Sequence, residues 1–262
     1  IMFAGTDEEL KQTKVTQPPV FLHSVIMAKA LGVKPDAVAG HSLGEFSALV
    51  VAGALSFEDG LRLVSKRAMA MQKACEAVPG TMAAILGLDD AKVEEACASI
   101  DGVVVAANYN CPGQLVIGGE QAAVDKAAAL AKELGAKRCL PLKVSGPFHS
   151  PFMKPAGEKL ERELEQVRLS ELQIPYVSNV SAQPITKTEQ IRSLLSRGVY
   201  SPVKWEQSMR TMLAEGVEYF VEIGPGHTLS TLLKKINAEA KICTVSTMED
   251  LVRMQDFLNE TV

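Results

Sequence analysis

Residues 36–44 read Asp36-Ala37-Val38-Ala39-Gly40-His41-Ser42-Leu43-Gly44. A short apolar run leads into a serine flanked by glycines two places away on either side, and an apolar helical pattern follows to Ala52. This is the G-x-S-x-G elbow: small residues let the chain turn sharply from strand to helix and expose the serine oxygen. The helix N-terminus behind the turn supplies free N–H groups and the positive end of a dipole to an oxyanion forming at that serine. The turn therefore predicts an α/β fold with Ser42 as a nucleophile that forms a covalent ester.

Outward from the elbow, Pro18 and Pro19 suit the first turn of a helix that runs to about Leu31 and ends at Gly32. Downstream, Ser56-x-x-Asp59 reads as a capping box opening a helix to about Glu76. Over 81–144 the pattern becomes strand, helix, strand, strand, helix, strand. That β-α-β-β-α-β order is the ferredoxin-like motif, of a size suited to an inserted small subdomain. After it, α/β character returns: strands near 174–180, 218–223 and 241–245, and helices near 189–196, after Pro225 and at the C-terminal end. A further helix is expected over 207–215. The expected organisation is an α/β-hydrolase-like large subdomain, 1–80 with 145–262, interrupted by the ferredoxin-like block 81–144.

Composition narrows the classes. The 262 residues carry a net charge of −4, with 47% apolar and 22% charged residues, a globular mix with no broad attraction for nucleic acid or anionic lipid. The five cysteines are odd in number and form no C-x-x-C pair, which argues for reduced thiols, a cytoplasmic setting and no zinc site. No apolar run is long enough to span a membrane. The opening Ile1-Met2-Phe3-Ala4-Gly5 lacks both an initiator methionine in first place and the build of a signal peptide, so an upstream segment is expected to be missing.

Four histidines compete to serve as the base. His23 lies in an apolar helical pattern and reads as a core or boundary residue. His41 adjoins the nucleophile, and its side chain should point away from the serine and shape the turn. The contest is between His149, in Ser145-Gly146-Pro147-Phe148-His149-Ser150, and His227, in Gly224-Pro225-Gly226-His227. Both follow expected strands, where catalytic residues of α/β folds gather.

The chain resembles the malonyl-CoA:acyl carrier protein transacylases and the acyltransferase domains of polyketide synthases. The likeness runs over its whole length, through Gly40-His41-Ser42-Leu43-Gly44-Glu45, the helix with Arg67, Asn108-Tyr109-Asn110-Cys111-Pro112-Gly113-Gln114, Phe148-His149-Ser150-Pro151 and Glu222-Ile223-Gly224-Pro225-Gly226. The resemblance implies Ser42 as nucleophile and His149 as its base, held by backbone carbonyls, one of them at Gly198. It implies Arg67 as the clamp for a malonyl carboxylate, the Leu43 N–H as oxyanion donor, and His41, Asn110 and Phe148 as substrate-binding residues. A phenylalanine at 148 is the mark of malonyl-selective relatives. The helix pattern agrees on Arg67. At about 100° per residue it falls beside the apolar stripe of Leu61, Val64, Ala68, Met71 and Cys75, away from Arg62, Lys66 and Lys73. A cation so placed needs an anionic partner, and an arginine fork holds a carboxylate through two parallel hydrogen bonds. The family's opening strand and G-Q-G-x-Q loop, which gives a second oxyanion donor, has no counterpart before Pro18.

The expected reaction is malonyl transfer from CoA to the phosphopantetheine thiol of acyl carrier protein. No metal or cofactor is implied; malonyl-CoA and the carrier protein are the partners, and a monomer is expected. Two rivals stand beside it: an esterase or thioesterase using Ser42 with His227, and a non-catalytic carrier-protein docking subunit.

Overall fold

The computed structural model describes residues 13–259; the opening segment, where an absent strand and loop were expected, lies outside the described residues. Helix α1 (Thr13–Leu31) begins five residues before Pro18 and stops at Gly32, whose φ of +69° only glycine takes easily. The prolines therefore sit inside the helix and do not open it, a correction to the sequence reading. The signal misled because a proline ring fits the first turn best but is not confined to it.

Strand β1 (Val38–Ala39) leads through the elbow into α2 (Gly44–Val51). Helix α3 (Phe57–Ala77) starts where expected, the Ser56 side chain accepting the Asp59 N–H at 3.0 Å. Its apolar face joins α1, α2, α6 (Lys154–Glu165) and α7 (Ile191–Gly198) in the largest core, around Phe21, Phe46, Leu49, Leu63, Met153, Leu160 and Tyr176. β1 pairs in parallel with β6 (Tyr176–Val177), which pairs with β7 (Pro184–Ile185). The strand expected over 174–180 is thus only two residues long.

Between these halves, β2 (Gly80–Leu86), α4 (Asp90–Ala98), β3 (Val104–Cys111), β4 (Gln114–Glu120), α5 (Gln121–Glu133) and β5 (Arg138–Pro141) form an antiparallel sheet of order β3-β4-β2-β5. Alternation along the strands sorts its faces. Ala83, Ile85, Leu115 and Ile117 pack on α4 and α5, while Met82, Ala84 and Val116 turn to the other side and meet Leu142 and Phe148. The outer edge of β3 is tied to the rest of the chain at Val203, whose N–H donates to the Ala107 carbonyl and whose carbonyl accepts the Tyr109 N–H. Helix α8 (Trp205–Ala214), β8 (Tyr219–Ile223), α9 (Thr228–Ile236), β9 (Lys241–Val245) and α10 (Met248–Asn259) complete the chain, β8 and β9 pairing in parallel.

Candidate active site

The elbow is built by one indispensable glycine. A Cβ at Gly40 would lie 2.0 Å from the Gly44 carbonyl carbon, so position 40 admits no side chain; a Cβ at Gly44 would meet nothing within 4 Å. The turn therefore depends on the first glycine, not on both. Ser42 adopts a φ of +54°, a left-handed conformation costly for a residue with a Cβ. Behind it the Gly44, Glu45 and Phe46 N–H groups donate to the carbonyls of residues 41–43. The Leu43 N–H has no acceptor among the described residues and stands free at the head of α2, where an oxyanion would form.

His149 is brought to the serine across 107 residues of chain, Nε2 lying 2.8 Å from Ser42 Oγ. Its Nδ1–H donates to the Gly198 carbonyl at 2.9 Å and to the Ser201 carbonyl at 3.2 Å. With Nδ1 carrying the proton, Nε2 is the lone-pair nitrogen and accepts the Ser42 hydroxyl. Burial, then the nearby Arg67 and His41 charges, hold the His149 pKa down to about 3, so the ring is neutral at pH 7. His227 lies elsewhere, exposed at the N-cap of α9. The half-buried His23 meets the Ser246 carbonyl.

Arg67 is 3% exposed. It donates to Ser42 Oγ at 2.8 Å and to Gln17 Oε1 at 2.5 Å, and its guanidinium carbon lies 5.9 Å from the centre of the Phe46 ring. Among the described residues no carboxylate comes within salt-bridge distance of it. Burial lowers its pKa only to about 10, the Glu45 carboxylate acting against that shift, so the guanidinium is charged at pH 7 beside the serine. His41 Nε2 meets Asn110 Oδ1 at 3.1 Å, and its ring lies 5.5 Å from that of Trp205. Phe148 is half-buried between the largest core and the site-facing side of the four-stranded sheet.

Several polar contacts here carried no sequence signal, although Glu45 itself closes the elbow motif at 40–45. Gln17 holds Arg67, and Ser201 gives the histidine a second carbonyl. Asn179 meets the elbow directly, accepting the Ser42 N–H at 2.6 Å and donating to the Gly40 carbonyl at 2.7 Å. Glu45, 3% exposed, accepts the Asn179 N–H and the Tyr176 hydroxyl, and burial raises its pKa to about 7. Each contact joins residues far apart in sequence, out of reach of any local pattern. Among the described residues no cluster of His, Cys, Asp or Glu is placed to hold a metal, and no helix is long and apolar enough to cross a membrane.

The family model of the acyl transferase domain matches residues 1–255. The chain belongs to the acyl transferase domain family. This acyl transferase is 46% identical over 257 residues to the malonyl CoA-acyl carrier protein transacylase of Bacillus subtilis, covering 96% of the chain and 81% of that relative. Among solved structures it is similar to MCAT from Streptococcus pneumoniae, with a TM-score of 0.91, 44% identity and coverage of 95% and 83% of the two chains. It is also similar, with a TM-score of 0.92 and 39% identity over 96% and 84% of the two chains, to a malonyl-transacylase solved in complex with a type II PKS acyl-carrier protein.

Proposed function

We propose that this acyl transferase moves a malonyl group from CoA to the phosphopantetheine thiol of acyl carrier protein through a malonyl ester on Ser42. The observation that carries the reading is Arg67: a buried guanidinium with no carboxylate in salt-bridge range among the described residues, 2.8 Å from the same oxygen that contacts His149. A site that holds a full cation against its nucleophile favours an acyl group bearing its own anion.

His149 Nε2 takes the Ser42 proton as Oγ attacks the thioester carbonyl. The Leu43 N–H faces the resulting oxyanion. Collapse breaks the carbon–sulfur bond, and CoA leaves as the thiol with the proton that His149 held. The carrier thiol then gives its proton to His149 and attacks the ester, and Ser42 Oγ regains a proton as it leaves. The Nδ1–H bonds to two carbonyls suit this shuttle, since they orient the ring without an aspartate. His41, Asn110 and Phe148 line the acyl and pantetheine path in this reading. The reaction needs no metal or cofactor, and the setting is cytoplasmic, with the chain a monomer.

The architecture is that of an α/β-hydrolase-like core, 1–80 with 145–262, carrying a ferredoxin-like subdomain over 81–144. Its support is the separate apolar core of the four-stranded sheet and the element order around it. The esterase reading through His227 gains no support from that residue's exposed position at the α9 N-cap. The test is transfer of labelled malonyl from malonyl-CoA to a holo-carrier protein. Wild-type chain should label the carrier thiol and Ser42→Ala should not; release of free malonate with no carrier labelling would replace transfer with hydrolysis.

A further inference from the structure

Asn179 lies between β6 and β7, 1% exposed, and all of its polar groups are engaged. Its side-chain amide straddles the elbow, Oδ1 taking the Ser42 N–H at 2.6 Å and Nδ2 donating to the Gly40 carbonyl at 2.7 Å. Its backbone points elsewhere. The Asn179 carbonyl accepts the Lys204 N–H at 3.0 Å, in the segment whose Gly198 and Ser201 carbonyls orient His149. The Asn179 N–H donates to Glu45 Oε1 at 2.9 Å, an oxygen that also takes the Tyr176 hydroxyl at 3.1 Å. The other oxygen of Glu45 sits under Gly198, 3.2 Å from where a Cβ there would be.

This placement matters because Ser42 holds a left-handed φ, and such a residue stays put only where its surroundings over-determine it. The helix behind the turn fixes the chain after the serine. The Asn179 amide fixes it before and at the serine, and it engages the Ser42 N–H, leaving the Leu43 N–H of the elbow open to an oxyanion. The same residue anchors the loop that supports the histidine.

We propose that Asn179 is the positioning residue of the Ser42–His149 pair, strapping the elbow at Gly40 and Ser42 while tying it to the loop that orients His149, with Glu45 and Tyr176 securing it from beneath. The proposal rests on Ser42 and His149 acting as nucleophile and base, as read above, but not on which acyl group they carry. Asn179 is 1% exposed and its side-chain amide is taken up by the backbone of the elbow, so its loss should slow the reaction without weakening binding.

Three measurements on Asn179→Ala test this, all made well below its unfolding temperature. Acylation of Ser42 by malonyl-CoA and sulfonylation of Ser42 by phenylmethanesulfonyl fluoride should both slow on the order of 10²-fold, the cost typical of a misplaced reacting atom. Malonyl-CoA affinity, compared between Ser42→Ala and Ser42→Ala/Asn179→Ala, should agree within about twofold. Asn179→Asp keeps the acceptor for the Ser42 N–H and the size of the side chain but loses the donor to Gly40, so it should fall between wild type and Ala. It decides the matter if Ala does not fold. Wild-type reaction rates in either variant, or a loss of affinity as large as the loss of rate, would overturn the proposal. Should wild type be sulfonylated yet never malonylated, the acyl-donor reading fails while the sulfonylation rates still decide the role of Asn179.

Discussion

Two turns in this molecule are built to one plan and put to opposite use. Gly40-His41-Ser42-Leu43-Gly44 leads from β1 into α2, and Gly224-Pro225-Gly226-His227 leads from β8 into α9. Each is glycine-rich, each carries a histidine, and each delivers the head of a helix. At the second turn the helix head is closed: the Glu222 carboxylate takes the Leu229 and Ser230 N–H groups at 3.0 and 2.7 Å, and His227 faces solvent. At the first, the carboxylate of Glu45 is turned away beneath the loop toward Asn179 and Tyr176, and the Leu43 N–H has no acceptor among the described residues. The difference teaches that an elbow becomes a site through the donors it leaves open and the partners that converge on it, not through its turn residues.

The largest test of that contrast is to remove each turn's histidine partner. His149→Ala should lower malonyl transfer by about 10²–10⁴-fold, the usual share of a general base, while His227→Ala should leave turnover at the wild-type level; steady-state transfer assays compare them directly. Next in size is the cation that only the first turn possesses. Arg67→Ala should remove a charge-assisted pair worth about 1.5–3 kcal/mol, a loss of roughly 10- to 150-fold in kcat/KM for malonyl-CoA. Acetyl-CoA, with no carboxylate, should lose little. Equal losses on both substrates would make Arg67 a structural residue.

The two turns also differ in burial, and that appears in the pH dependence of stability. His149 has a folded-state pKa of about 3, below the ordinary value of about 6.5 for an unfolded chain. A depressed histidine favours the folded state above the unfolded value, and the advantage is lost as pH falls below it, because the unfolded chain takes up the proton first. His149→Gln should therefore flatten the decline in unfolding free energy between about pH 6.5 and pH 4, with a difference on the order of 1–2 kcal/mol by pH 5. Denaturant titrations across that range would show it. The smallest effect belongs to the second turn. Glu222→Ala should cost about 1 kcal/mol of stability, as lost helix caps do, and leave transfer intact; a loss of activity without loss of stability would assign that turn a part in the chemistry.

Much of this was legible in the sequence because it is local. The elbow, the capping serine at 56 and the β-α-β-β-α-β run are each written in neighbouring residues, and Arg67 betrayed itself by standing apart from the other cations of its helix. Choosing His149 over His227 needed the surrounding family motif, since both follow a strand. What escaped was mostly non-local. Asn179 reaches Ser42 across 137 residues, and Gln17 reaches Arg67 across 50. Helix α6 is a miss of another kind, since Ala156, Leu160 and Leu164 recur at helical spacing among Lys, Arg and Glu and are legible in the sequence. β6 and β7, with two residues each, are too short to show any alternation.

The central claim is that the first turn, and not the second, carries the acyl group. Mass spectrometry of the intact protein after brief exposure to malonyl-CoA, with no carrier present, tests it most directly. The account predicts one malonyl adduct per chain in the wild type and in His227→Ala, mapped to Ser42 by peptide analysis, with none in Ser42→Ala and slow formation in His149→Ala. An adduct that persists in Ser42→Ala, or that disappears in His227→Ala while forming normally in His149→Ala, would contradict it.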